Sequence, residues 1–159
     1  MAGRVYVETT IPSAYVSTRT DASSIHRRDL TRAWWTDQVM QYDAWASEAV
    51  ILELGQGDWP GKPEALALIE PLPRVAVTHE AASVARRYVL ERLVPADVQG
   101  DALHLALACI YEFDFLLTWN IRHLANPNKL SHLTVINRRL GLLTPQVVTP
   151  EMLWLEDTV

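Results

Sequence analysis

At 159 residues, 49% hydrophobic and 21% charged, the chain has a globular composition and enough length to bury a core without disulfides or a structural metal. Its one cysteine, Cys109, excludes an internal disulfide. A net charge of −5 argues against the generally basic surface of a nucleic-acid coat, so any such contact has to be local and assisted by metal.

The elements follow one another from the first residues. Arg4 to Val7 predicts a buried strand, rich in β-branched and aromatic residues. Ile11 to Val16 predicts a short helix with Pro12 in its first turn, and Thr18 to Ala22 a polar loop. Ser23 or Ser24 is placed to cap a long helix reaching about Tyr42. Ala44 to Ala46 is a short strand, Glu48 to Leu54 a helix stopped by Gly55 and Gly57, and Pro63 to Ile69 another helix. Arg74 to Thr78 predicts a strand, and Glu80 to Leu93 an amphipathic helix broken by Pro95. Gly100 precedes a helix over Asp101 to Glu112, Phe115 to Thr118 is an apolar strand, Pro127 opens a helix towards Leu140, and Val147-Val148 is a last strand. There is no repeat or linker, so one domain over 1–159 is expected. No stretch approaches the roughly 18 apolar residues of a membrane span. The N-terminus lacks a basic run followed by an apolar one, which points to the cytoplasm.

Strands alternating with helices predict an α/β fold, a three-layer sandwich around a central parallel sheet. Ligands of such sheets bind outside the carboxyl ends of the strands, where strand order reverses. Glu8 directly follows the first strand, and Asn120 lies just past the Phe115 strand. Asp101 opens a helix, where an anion is favoured, and Glu53 ends a short one. Each has an ordinary reading: a helix-start acid for Asp101, a solvated residue for Glu53, a turn residue for Asn120, a cap or ion-pair partner for Glu8. An acid ending a buried strand is nonetheless costly unless paired or metal-bound. Together, in this order along the chain, the four mark one candidate site.

That set resembles the motifs of PIN domains. The segment Val5-Tyr6-Val7-Glu8-Thr9-Thr10-Ile11-Pro12 resembles the opening motif. Ser47 followed six residues later by Glu53 resembles the second, and Asp101-Ala102-Leu103-His104 the third. Leu116-Leu117-Thr118-Trp119-Asn120 resembles the fourth, and its continuation to Pro127 is similar to one subgroup. Members resembling VapC are toxins of toxin–antitoxin pairs that cut RNA with Mg²⁺ or Mn²⁺. The resemblance implies metal-assisted phosphodiester hydrolysis, with Glu8 and Asp101 as metal ligands and Glu53 as a ligand or a group orienting water. Asn120 would then hold water or a phosphate oxygen, with Thr10, Thr118 and Arg122 in support or in substrate contact. It also implies an RNA substrate, a small antitoxin partner and a homodimer. Two departures stand out. Glu8 replaces the usual Asp, and the neutral Asn120 replaces a frequent Asp, which weakens any second metal.

Other residues carry less. Glu48 competes with Glu53, but the motif spacing favours Glu53. Asp114 precedes its strand and points to the wrong end of the sheet. His79, His104 and His123 make no zinc pattern; His104 shares a helix face with Asp101 and is expected as a packing residue. Trp119 is placed to stack on a base or to pack at the sheet edge, and Arg27, Arg28, Arg122, Lys129, Arg138 and Arg139 to meet phosphates or solvent. Trp34, Trp35 and Val39 on the long helix are candidates for an antitoxin groove or dimer contact. Three rivals remain: a non-catalytic PIN-like module binding RNA or protein, a haloacid-dehalogenase-type phosphatase and a receiver domain. The phosphatase needs two aspartates spaced two apart, where this chain has Glu8-Thr9-Thr10, and the receiver needs a strand-end Asp and a late Lys.

Overall fold

A computed structural model describes residues 2–156. The domain expected over 1–159 therefore runs past the described residues at both ends. Five parallel strands form one sheet in the order β3-β2-β1-β4-β5. They are β1 (Arg4–Val7), β2 (Asp43–Ser47), β3 (Arg74–Val75), β4 (Phe115–Leu117) and β5 (Gln146–Val148). The helices are α1 (Thr10–Tyr15), α2 (Ala22–Asp37), α3 (Glu48–Gly55), α4 (Lys62–Ile69), α5 (His79–Leu90), α6 (Gln99–Ile110) and α7 (Leu130–Leu140). The expected α/β class and parallel sheet are both present.

Side-chain alternation explains the layers. In β1, Tyr6 faces a core built with Val50 and Leu54 of α3, Ala81 and Tyr88 of α5, and Ala102 and Ala106 of α6. Val5 and Val7 face a second core with Ile11 of α1, Trp34 of α2 and Leu153. Leu116 and Leu117 of β4 divide between the two cores in the same way. A strand covered on both faces has no polar side, which is why β1 and β4 read as continuous apolar runs.

Several boundaries differ from expectation for identifiable reasons. Helix α2 is capped by Asp21, whose carboxylate accepts from the Ser24 backbone N–H, and neither Ser23 nor Ser24 is the cap. It ends at Asp37, and a tight turn over Val39–Gln41 replaces the expected extension to Tyr42. The Arg74 to Thr78 strand shrinks to Arg74–Val75, because Thr78 caps α5 by accepting from Ala81 N–H. Helix α5 starts at His79 and stops at Leu90, short of Leu93; Arg92 has φ +60. Gly100 lies inside the first turn of α6, not before it. Pro127–Lys129 is a separate tight turn ahead of α7.

Trp34 is fully buried and belongs to the core, so it offers no partner surface. Trp35 is half-buried and packs edge-on against Trp34 and Tyr15. Among the described residues no helix is long and apolar enough to cross a membrane.

Candidate active site

Strand β1 lies between β2 and β4, so the chain leaves it to one side and returns on the other. This is the switch point of the sheet, and Glu8 stands at its carboxyl edge. Its backbone N–H still donates to Leu117 O (3.1 Å), which ties the residue to the end of β4.

The Glu8 carboxyl is 2% exposed and held by two threonines. Thr10 Oγ1 and Thr118 Oγ1 both donate to Glu8 Oε1, at 2.5 and 2.6 Å. Thr10 N–H donates to Oε2 (3.1 Å). Each hydroxyl in turn accepts a backbone N–H, Thr10 from Trp119 (2.8 Å) and Thr118 from Asn120 (2.9 Å). With those N–H groups occupying one side of each oxygen, the hydroxyl protons are directed to the carboxylate. Burial still pushes the Glu8 carboxyl above its ordinary value, although the charge of His104 and these hydrogen bonds oppose it.

His104 is 1% exposed and links three elements. Its Nε2 lies 3.1 Å from Glu53 Oε2 and 3.3 Å from Thr9 Oγ1, and its Nδ1 lies 2.7 Å from the Tyr6 hydroxyl. Tyr6 also meets Ser47 Oγ (2.8 Å), and Ser47 caps α3 by accepting from Val50 N–H (3.1 Å). The helix carrying Glu53 is thus tied to β1 through Tyr6 and to α6 through His104. Burial pushes the His104 imidazole down, but the Glu53 hydrogen bond and the charges of Glu8, Glu53 and Asp101 outweigh it and leave it raised. Burial pushes Glu53 up, and His104 with the Thr9 hydroxyl outweighs that, so Glu53 is lowered.

Glu8, Glu53 and His104 each present a ligand atom within 4.8 Å of the others. Asp101, half-buried in the first turn of α6, stands outside that group. Burial raises its carboxyl, opposed first by a hydrogen bond with the Asn120 side chain and then by His123 and His104. Asn120 Oδ1 accepts from His123 N–H (3.1 Å), which leaves its amide N–H₂ to serve Asp101. A Cβ on Gly100 would come within 3.3 Å of Glu53 Oε2, so glycine lets α6 begin close against that carboxylate.

The sequence matches no protein-family model and no curated protein. Solved structures with a similar fold exist. One is VapC20 of Mycobacterium tuberculosis, described as a sarcin–ricin-loop-cleaving toxin, at 15% identity and TM-score 0.52 over 70% of this chain and 86% of that one. A second is VapBC2 of Rickettsia felis bound to a DNA fragment from its promoter, at 11% and 0.50 over 92% and 98%. A third is FitAcB of Neisseria gonorrhoeae, at 12% and 0.55 over 94% and 99%. The chain has a PIN-like fold.

In this PIN-like fold the residues singled out from the sequence occupy one sheet edge. Glu8 and Glu53 converge, the Asn120 side chain acts on the Asp101 carboxyl beside them, and Thr10 and Thr118 hold Glu8. Arg122 is exposed just past Asn120 and touches none of the carboxylates. Glu48 accepts from Val77 N–H instead, and Asp114 accepts from Arg4 N–H at the amino end of β1. His104, Tyr6, Ser47 and Thr9 have hydrogen-bonding roles here that were not expected from the sequence. The available signal was the three-residue spacing of His104 from Asp101, which puts both on one helix face. Trp119 is packed, 5% exposed, and its Nε1–H donates to Thr31 Oγ1 (2.8 Å), so the edge-packing alternative holds.

Proposed function

We propose that this chain is a ribonuclease that hydrolyses RNA phosphodiester bonds with Mg²⁺ or Mn²⁺, and that it is the toxin of a toxin–antitoxin pair. One observation carries the nuclease reading: the Glu8 and Glu53 carboxyls converge with His104, ligand atoms within 4.8 Å of one another, at the switch point of the sheet. Among the described residues no Lys or Arg forms an ion pair with Glu8, Glu53 or Asp101, and their positive neighbours are the imidazoles of His104 and, for Asp101, His123. The fit to a hard divalent ion comes from this donor set, which is rich in carboxylate oxygen and short of positive charge.

Glu8, Glu53 and Asp101 would hold the ion, with one ion favoured over two because Asn120 is neutral. Bound there, a divalent ion supplies activation of water and neutralisation of charge developing on the phosphate. The chain's own groups prepare the site. Thr10 and Thr118 orient the Glu8 carboxylate, and His104 holds Glu53 in the way that outer partners orient metal ligands. The Asn120 amide favours the charged form of Asp101.

The toxin reading draws on the described activity of VapC20, a fold neighbour. An antitoxin partner draws on VapBC2, and a homodimer on the motif resemblance alone. The test is RNA cleavage by the purified chain with Mg²⁺ or Mn²⁺, beside Asp101→Asn. The expected result is cleavage that needs the ion and falls by about 10²-fold or more in the variant, with an unchanged circular dichroism spectrum. Equal cleavage by a clean preparation of the variant sinks the site assignment. No cleavage with any ion or RNA pool turns the reading to a non-catalytic PIN-like module that binds RNA or protein.

A further inference from the structure

We propose that the cleft between α1, the start of α2 and the turn after β4 is a phosphate-binding subsite for the backbone of an RNA strand, beside the carboxyl site. The proposal rests on the ribonuclease reading and names where the substrate lies. The cleft has a volume of about 720 Å³. Thr10 and Asn120 line it, and both also belong to the carboxyl site, since Thr10 donates to Glu8 and the Asn120 side chain opposes the rise of the Asp101 carboxyl. The cleft therefore opens onto the proposed point of cleavage.

Its charge is opposite to that of the carboxyl site and to that of the chain. Arg19, Arg27 and Arg122 line it and no Asp or Glu does, in a protein of net charge −5. The local contact that the net charge requires is found here. Arg27 is half-buried, with its guanidinium 5.5 Å from the centre of the Trp119 ring. Trp119 is locked from below by its bond to Thr31, so the floor of the cleft is fixed. Arg19 lies 3.4 Å from Asp21 in an exposed pair, a weak partnership that a phosphate can replace. Arg122 is exposed and forms no ion pair among the described residues. A nucleic-acid backbone carries one negative charge per nucleotide. A cleavage site that neutralises only the scissile phosphate leaves the neighbouring phosphates facing an acidic protein, and three arginines beside it remove that repulsion. Because the aromatic floor is buried, the cleft grips backbone and contributes affinity rather than base choice.

The experiment measures anisotropy of a short fluorescein-labelled single-stranded RNA with the full chain in EDTA, from about 50 to about 200 mM salt. Arg27 packs on Trp119, so the principal variant is the exposed pair Arg19→Gln/Arg122→Gln. Arg138→Gln/Arg139→Gln on α7, outside the cleft, is the control. The wild type is expected to bind with a steep salt dependence. The cleft pair should lose about 1.4 from the log–log slope, near 0.7 per phosphate contact on a single strand, and about tenfold or more in affinity. The control should keep both. An unchanged slope in the cleft pair, an equal loss in the control, or no RNA binding by the wild type overturns the proposal. Binding in EDTA separates the two readings. Cleft-dependent binding without cleavage under any metal leaves the cleft and removes the nuclease; metal-dependent cleavage with an unchanged slope does the reverse.

Discussion

At the level of single residues the carboxyl site is a contest between burial and compensation, and the contest has a pH signature. Glu8 and Asp101 are raised above their ordinary values of 4.5 and 3.8, chiefly by burial. The folded chain then keeps protons that the unfolded chain has released, so stability falls as pH rises from the ordinary values through the raised ones. His104 acts in the same direction. Its contribution is complete below the ordinary imidazole value of 6.5 and is lost as pH climbs through its raised folded value. Glu53 alone runs the other way, contributing above 4.5 and losing that contribution as pH falls through its lowered value. In EDTA, the thermal midpoint is therefore expected to decline above pH 6.5, the ordinary His104 value. His104→Gln should flatten that decline. Adding Mg²⁺ or Mn²⁺ should recover the midpoint most at high pH, because ligands bind metal when deprotonated. A wild-type midpoint that stays level in EDTA across this range would contradict the balance described.

At the level of elements, the site depends on how the eight-residue helix α3 is anchored. Helices this short are marginal by themselves and take their position from caps and tertiary contacts. Ser47 serves both ends of that requirement, since it caps Val50 N–H and meets the Tyr6 hydroxyl. Ser47→Ala is expected to cost about 0.5–2 kcal/mol in chemical denaturation through loss of the cap. It should also weaken metal binding in titration calorimetry, because Glu53 rides on the helix it anchors. A variant with wild-type denaturation and wild-type metal affinity would show that α3 is held by packing alone. This second role of Ser47 was out of reach of the sequence. The motif places a Ser six residues before an acid, but nothing local says that the serine reaches across the sheet to Tyr6.

For the whole molecule, the segment after β5 fastens α2 to the sheet. Trp34 Nε1–H donates to Leu153 O (2.7 Å) in the core. Gln38 and Leu155 exchange two hydrogen bonds, side-chain N–H to carbonyl at 3.2 Å and backbone N–H to side-chain oxygen at 2.8 Å. Trp34→Phe keeps an aromatic ring against Tyr42, on which Trp34 stacks at 5.9 Å, but leaves the Leu153 carbonyl without its donor. The expected cost is about 1–3 kcal/mol, read from urea denaturation with an unchanged m-value. No loss would mean that the segment is dispensable to the fold.

What the sequence determined by itself was local in origin. The β-branched and aromatic run of Val5, Tyr6 and Val7, the helical runs between strands, and an acid after the first strand are all properties of neighbouring residues along one element. They are enough for an α/β parallel sheet and for naming Glu8, Asp101 and Asn120 as residues at its carboxyl edge. Only the tertiary structure decided which distant elements lie side by side. Placing β4 against β1 brings Thr10 and Thr118 onto one oxygen of Glu8, and packing α3 near α6 joins Glu53 to His104 and separates it from Glu48. The partners of the packed His104 and Trp119 were likewise invisible, because a residue's environment is set by the strand order and the helices covering it. Neither is written in the residues beside it.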